Sequence, residues 1–525
     1  MTVVTKNGVS NGVSNGVSNG VSNGVSNGVS NGKHSPHVRP VRAFQETFEP
    51  MPLSASIFAS VNYMFLGLFG VIRDFLRTNK IEKVFTASED PEMKGFAPLY
   101  DDFLSFYHRN AFMRIIECLT RPLARAPGAV LHIVEREFSN AGWVCKYTGK
   151  ILKNVVNLGS YNYLGISENK GKSTKVVIEA AKKYGVGICS PRREVGNLDI
   201  HSELEQVVAE YLDVEASISF GMGFATNVMT IPSLVDKDCL VLGDEHNHAS
   251  IATGCKLSNA TIRRFKHNNM EDLEKKLCDG IAYGQPRTHR PWKKILIVVE
   301  GVYSMEGSIT NLAGIVALKK KYKAYLYIDE AHSMGALGKR ARGVTDYFGI
   351  DAKEVDVIMG TFSKFFPGQG GFIAGSRAII EHLRADSAIA SYATSMSAPV
   401  CQQAISVFNM LSSTEEGKKK TKQLAKNCRM FRQGLKKAGF IVYGNDDSPI
   451  VPVMIFYPSK MLGFSREMLE RGFAVVVAGY PATPVLGSRV RFCLSATLTD
   501  KQIQDALSAI IDVGDLVQMT YLKGK

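Results

Sequence analysis

Residues 325–332 read Tyr325-Leu326-Tyr327-Ile328-Asp329-Glu330-Ala331-His332, an apolar run that breaks into two acids and a histidine. The run lacks polar alternation, as a strand buried on both faces of a parallel sheet does. Further on, Val357-Ile358-Met359-Gly360 repeats the pattern and leads into Thr361-Phe362-Ser363-Lys364, with Gly368, Gly370 and Gly371 just beyond. Open α/β sheets bind ligands outside the carboxyl ends of their strands, so both polar segments are predicted to face one site.

Working outward, short apolar runs at 237–242 and 294–299 alternate with helical stretches at 174–184, 201–211, 270–278 and 311–320. Strands separated by helices predict a mainly parallel sheet. After about residue 400 come two helices, an apolar run at 450–455, a helix near 463–472, short runs at 473–477 and 490–494, and a final helix from 500. The expectation is a large domain over 151–395 and a smaller C-terminal α/β domain over 396–525. Ahead of them, residues 95–150 are expected to be a helical segment punctuated by Pro98, Pro122, Pro127 and Gly128.

The N-terminal region has a different texture. Six tandem Asn-Gly-Val-Ser units and a final Asn-Gly fill 7–32, so 1–45 reads as a low-complexity flexible extension with little to bury. The polar repeat after Met1 also predicts no cleavable signal peptide. Residues 50–72 are uncharged and rich in large apolar side chains, with Arg73, Arg77 and Lys80 following. As a helix they are long enough for a bilayer, and Ser54, Ser56, Ser60 and Asn62 dilute the apolar signal. The segment is read as membrane-associated or spanning, against a buried or interfacial helix as the alternative. If it spans, the positive flank places the folded body in the cytoplasm.

Hydrophobic residues at 45% and charged residues at 21% exclude general disorder and a polytopic membrane protein. The net charge of +14 fits nucleic acid, an anionic membrane or a polyanionic substrate equally well. The densest basic run, 418–437, reads as the wet face of an amphipathic helix, and no recognisable module interleaves basic residues with aromatics, so nucleic acid is set aside. Nine cysteines without a Cys-x-x-Cys pair suit a reducing compartment.

A lysine between a pair of hydroxyl residues on one side and a glycine-rich loop on the other, with an acid and a histidine nearby, suits pyridoxal phosphate. An amine must hold the aldehyde, hydroxyls and backbone N–H groups must cradle the phosphate, and a carboxylate must keep the pyridine nitrogen protonated. The plainer readings are a helix-capping acid for Asp329 and a solvated or phosphate-binding lysine for Lys364.

The ordered motifs Asn157-Leu158-Gly159-Ser160-Tyr161-Asn162-Tyr163-Leu164-Gly165, Gly196-Asn197-Leu198-Asp199-Ile200-His201, Asn247-His248-Ala249-Ser250 and Glu300-Gly301-Val302-Tyr303-Ser304-Met305-Glu306-Gly307 extend the pattern. With the segments at 329 and 361, Tyr392-Ala393-Thr394-Ser395-Met396-Ser397 and Ser488-Arg489-Val490-Arg491-Phe492, they resemble the α-oxoamine synthases over about 95–515. These are aminotransferase-like pyridoxal phosphate enzymes of fold type I. Tyr161 and the segment Cys189-Ser190-Pro191-Arg192-Arg193-Glu194-Val195 resemble the family's sphingolipid-forming branch. The resemblance implies that Lys364 binds the cofactor aldehyde and moves the α-proton, and that Asp329 pairs with the pyridine nitrogen. It places the His248 imidazole over the cofactor ring and His332 on its phenolic oxygen. It gives the phosphate to Gly223, Phe224, Thr361 and Ser363, with Thr394 donated across a dimer interface, and the substrate side to Tyr161, Asn162 and Arg491. A packed core histidine at 248 or 332, and Arg489 in place of Arg491, are the alternatives, and no metal is implied. The implied reaction is decarboxylative condensation of L-serine with a long-chain acyl-CoA, alongside a related non-catalytic subunit at the endoplasmic reticulum membrane. The competing readings are a member using glycine or alanine, or a catalytically silent assembly subunit.

Overall fold

The computed structural model describes residues 48–79, 81, 91–97, 106–139, 144–168 and 170–524. The Asn-Gly-Val-Ser repeat and the rest of the expected 1–45 extension lie outside the described residues.

Seven strands make the central sheet: β3 (Ala216–Phe220), β4 (Leu240–Asp244), β5 (Thr261–Phe265), β6 (Ile295–Glu300), β7 (Tyr325–Asp329), β8 (Val357–Thr361) and β9 (Gly371–Gly375). Their order is β3-β9-β8-β7-β6-β4-β5. Only β9 runs antiparallel to its neighbours β3 and β8, so the sheet is mainly parallel, as the unbroken apolar runs predict. Every residue of β4 and β8 is buried. Helices Gly223–Leu234, Ala249–Leu257, Met270–Tyr283 and Leu312–Tyr322 connect the strands, which is the covering a sheet apolar on both faces needs.

Because the strands other than β9 are parallel, their carboxyl ends share one edge. The ends of β3, β4, β6, β7 and β8 therefore deliver 221–224, 244–248, Glu300, Asp329 and 361–364 to the same place.

The smaller C-terminal sheet joins β10 (Ile450–Phe456), β12 (Val476–Ala478) and β13 (Ser488–Cys493) in the order β10-β13-β12. It packs with helices Glu415–Lys437, Pro458–Glu470 and Asp500–Leu516. Ile450, Val451, Val453, Ile455, Val477, Val490 and Phe492 of this sheet belong to the same apolar cluster as one face of the large sheet.

The expected helical segment at 95–150 needs correction. Short helical turns occupy 108–118, but β1 (Val130–Ser139) and β2 (Val144–Asn157) form an antiparallel hairpin, with β11 (Phe473–Ala474) pairing parallel to β2. Leu131, Ile133 and Val155 bury one side of it against Ala474, which a helix over the same residues would not do.

The uncharged N-terminal stretch forms the helix α1 (Leu53–Thr78), opening after Pro52, whose fixed φ suits a helix entry. Its inward face is made of small residues: Ala55 and Ala59 are buried, and a Cβ on Gly70 would lie 2.7 Å from Phe106. Ala55 packs with Ile441, Met454 and Phe456, and Asp74 at the far end pairs with Arg109 at 2.8 Å. The outward face exposes Ile57, Phe58, Val61, Met64, Phe65, Leu68 and Phe75. Among the described residues it is the one helix long and apolar enough to cross a membrane.

Candidate active site

Lys364 sits half-buried just beyond β8, after two hydroxyl residues that are already engaged with one another. Thr361 Oγ1 lies 2.6 Å from Ser363 Oγ and donates to the Gly370 carbonyl at 2.9 Å. Opposite them is the first turn of helix Gly223–Leu234, whose N-terminal N–H groups favour an anion. A Cβ on Gly223 would come within 2.6 Å of Thr361 Oγ1, so only glycine leaves this cradle open.

Asp329 ends β7 and is 4% exposed. Its Oδ1 accepts from the Ala331 N–H at 2.9 Å and its Oδ2 from Asn227 Nδ2 at 2.8 Å. His248 stands at the mouth with its ring partly open to the cleft and edge-on to Phe224, the ring centroids 6.0 Å apart. The cleft walls still strip enough water from the ring to lower its basicity; Asp329 pulls it back and Lys364 lowers it further. His332 is buried, with Nδ1 3.0 Å from Tyr163 Oη. Burial holds it well below the ordinary histidine range, and Lys364 and Arg491 push the same way, so the ring is neutral. Burial also lowers the Lys364 ammonium, against the pull of Asp329 and Glu300. An amine eased toward its neutral form is what a nucleophile or base requires.

On the opposite wall, Tyr161 sits between the charged groups. Its ring centroid lies 5.7 Å from Lys364 Nζ, 4.7 Å from the Arg491 guanidinium carbon and 5.4 Å from the His332 ring. Among the described residues Arg491 Nε is buried without a hydrogen-bond partner, and its Nη1 lies 3.9 Å from Met305 Sδ. Arg489 is already engaged: it donates to the Met305 and Gly487 carbonyls and pairs with Glu306 at 3.3 Å. That contrast favours Arg491 as the substrate clamp.

Asn162 does not join the site. Its Nδ2 donates to the Pro127 carbonyl at 2.8 Å and its Oδ1 accepts from Ile166 and Ser167 N–H, so bracing its own loop consumes the amide. Thr394 is exposed, its backbone bridged to Pro191 and its carbonyl 3.5 Å from where a Cβ on Gly221 would stand.

Residues 153–510 match the family model for aminotransferase class I and II. The chain is 50% identical over 483 residues to human serine palmitoyltransferase 3, covering 91% of this chain and 88% of that protein. It is 44% identical to serine palmitoyltransferase 2 of Saccharomyces cerevisiae, covering 90% and 84%. The chain belongs to the serine palmitoyltransferase family. Among solved structures, Sphingomonas wittichii serine palmitoyltransferase superposes with a TM-score of 0.69 at 28% identity, covering 82% of this chain and 99% of that one. A serine palmitoyltransferase structure containing pyridoxal phosphate gives 0.70 at 30% identity, covering 81% and 100%.

The cofactor of this serine palmitoyltransferase relative is pyridoxal phosphate, and its residues fit that group. The glycine-floored hydroxyl cradle matches a phosphate, the buried acid a pyridine nitrogen, and the lysine an aldehyde. Reading the sequence missed Asn227, Ser250, Tyr163 and Met305, which hold or flank these groups. Three of them stood inside quoted motifs, but nothing in a motif tells which side chains turn toward the cleft.

Proposed function

We propose that this chain is the lysine-bearing catalytic subunit of a serine palmitoyltransferase, condensing L-serine with palmitoyl-CoA to 3-ketosphinganine, CoA and CO2. The observation that carries it is the convergence of Lys364, Asp329 and His248 at one sheet edge, beneath an Arg491 whose buried Nε lacks a partner. When bound, pyridoxal phosphate supplies an aldehyde for the substrate amine and a ring that withdraws electrons from its α-carbon. Lys364 Nζ holds the aldehyde and, once displaced, takes the α-proton. Asp329 anchors the pyridine nitrogen, His248 covers the ring face, and neutral His332 serves the phenolic oxygen. Arg491 grips the serine carboxylate bidentately and Tyr161 forms the wall beside it. Gly223, Phe224, Thr361 and Ser363 hold the phosphate.

Thr394 is assigned to a partner's site. Val186, Val195, Met222, Phe224 and Tyr392 are exposed, apolar side chains suited to contact with a related subunit without the lysine. For location, the reading is the endoplasmic reticulum membrane with the catalytic body in the cytoplasm. Contacts to the body at both ends of α1 favour a helix lying in the interface plane over one that crosses it. Single cysteines placed at 53 and 79 label from the same side if it lies in the plane, and from opposite sides if it spans.

The decisive assay incubates the purified complex with serine, glycine or alanine and acyl-CoAs of graded length, reading product mass. A 3-keto sphingoid base from serine supports the reading, and products from glycine or alanine alone overturn it. Lys364→Ala is expected to abolish the lysine-linked visible absorbance while the protein stays folded.

A further inference from the structure

Behind the cofactor-facing surface, buried side chains form one hydrogen-bonded path that the reaction above does not use. Tyr327 Oη donates to Asn227 Oδ1 at 2.6 Å. Asn227 Nδ2 donates to Asp329 Oδ2 at 2.8 Å and to Ser250 Oγ at 2.9 Å. Ser250 Oγ lies 2.7 Å from His248 Nδ1, and the Ser250 backbone N–H points at the same nitrogen from 3.2 Å. Tyr327, Asn227 and Ser250 are all buried.

Valence fixes where the protons sit. A carboxylate only accepts, so the NH2 of Asn227 faces Asp329 and its carbonyl oxygen is left for the Tyr327 hydroxyl. Both amide hydrogens are then spent, one on Asp329 and one on Ser250 Oγ. Having accepted that hydrogen, the Ser250 hydroxyl donates its own to His248 Nδ1. A ring nitrogen that receives two donors carries no proton, so His248 is neutral with its hydrogen on Nε2. The same Nδ1 caps helix Ala249–Leu257, and a helix N-terminus disfavours positive charge there.

We propose that Asn227 and Ser250 are positioning residues for the condensation: the Asn227 amide orients Asp329 and, through the Ser250 hydroxyl, holds His248 as its neutral Nε2–H tautomer. The proposal rests on the pyridoxal phosphate reading of the site. A single amide thereby ties the acid at the end of β7 to the histidine after β4, so displacement of one is felt at the other. The titratable groups around His248 are Asp329, Lys364, His332 and Glu300, whose carboxyl oxygen accepts the His248 backbone N–H. Without the Ser250 hydroxyl, Nδ1 keeps one donor, and the pull of Asp329 toward a protonated ring is less opposed.

The test uses the full chain loaded with pyridoxal phosphate and labelled with 15N-histidine, with the His248→Asn spectrum assigning the signal. The expected wild-type state has an unprotonated Nδ1 and a protonated Nε2. Ser250→Ala is expected to mix the tautomers and raise the His248 midpoint by about one pH unit, and Ser250→Thr to restore both. Asn227→Leu, which removes a hydrogen bond to a charged group, is expected to bind pyridoxal phosphate about tenfold more weakly. A wild-type ring protonated on Nδ1 overturns the proposal. So does a Ser250→Ala protein that binds the cofactor with unchanged tautomer and midpoint. Failure of the wild type to develop the lysine-linked visible band strikes the cofactor reading instead, and the cofactor-free chain still reports the tautomer.

Discussion

Arg489 and Arg491 lie two residues apart on β13, where alternate side chains share a face, yet their surroundings give them different work. Arg491→Ala is expected to raise KM for serine at least tenfold, since it removes a charge-assisted clamp. Arg489→Leu leaves Glu306 buried and unpaired, so urea denaturation should show a loss of about 3–5 kcal/mol. A second residue-scale prediction concerns Glu330, the buried neighbour of Asp329, whose carboxyl desolvation pushes up to about 8. The folded state therefore keeps a proton that the unfolded chain releases near pH 4.5, and the associated stability is lost as pH rises toward 8. Glu330→Gln retains an acceptor for the Val344 N–H and should flatten stability between pH 5 and 8, measured by thermal melts. The lysine and acid were legible because each follows an apolar run that can only be a buried strand. Asn162 was misplaced because its chemistry shows in the sequence and its direction does not. Asn227 carried no signal and Ser250 only its place in a motif, since a polar residue on a covering helix reads as solvent-facing until the neighbouring helix is in place.

At the scale of elements, the sheet was readable from composition alone, but the reversal of β9 was not. A buried antiparallel strand is as apolar as a parallel one, and only its hydrogen-bond register with β3 and β8 distinguishes it. The hairpin over 130–157 was obscured for a related reason. Strand β2 is mostly exposed, so its apolar alternation is faint, while the prolines ahead of it drew attention to helix breaks. For α1, the two faces separate cleanly by substitution. Gly70→Leu must displace Phe106 and Asn110, and is expected to cost about 1–3 kcal/mol in denaturant titrations. Phe65→Asp, on the exposed face, should leave that titration within about 0.5 kcal/mol of wild type and reduce flotation with liposomes.

For the molecule as a whole, 42–525 forms a single compact unit, so the two sheets read as separate domains in sequence share one interior. Neither motifs nor periodicity could announce that, because the joining contacts come from residues far apart in the chain. Surface assignment follows the same logic: Tyr392, 83% exposed two residues from Thr394, suits the proposed subunit interface as an aromatic anchor. Tyr392→Asp is expected to release the proposed partner subunit on size-exclusion chromatography while the isolated chain keeps its thermal midpoint. The in-plane seating proposed for α1 bears, finally, on how the acyl donor arrives. Drawing a long chain out of lipid into water costs ~0.8 kcal/mol per methylene, a barrier that grows with every carbon. A body held against the bilayer by its first helix never asks its substrate to make that crossing. Its turnover should then saturate with the mole fraction of acyl-CoA in the surface, and diluting that surface with inert lipid should slow it at constant bulk concentration.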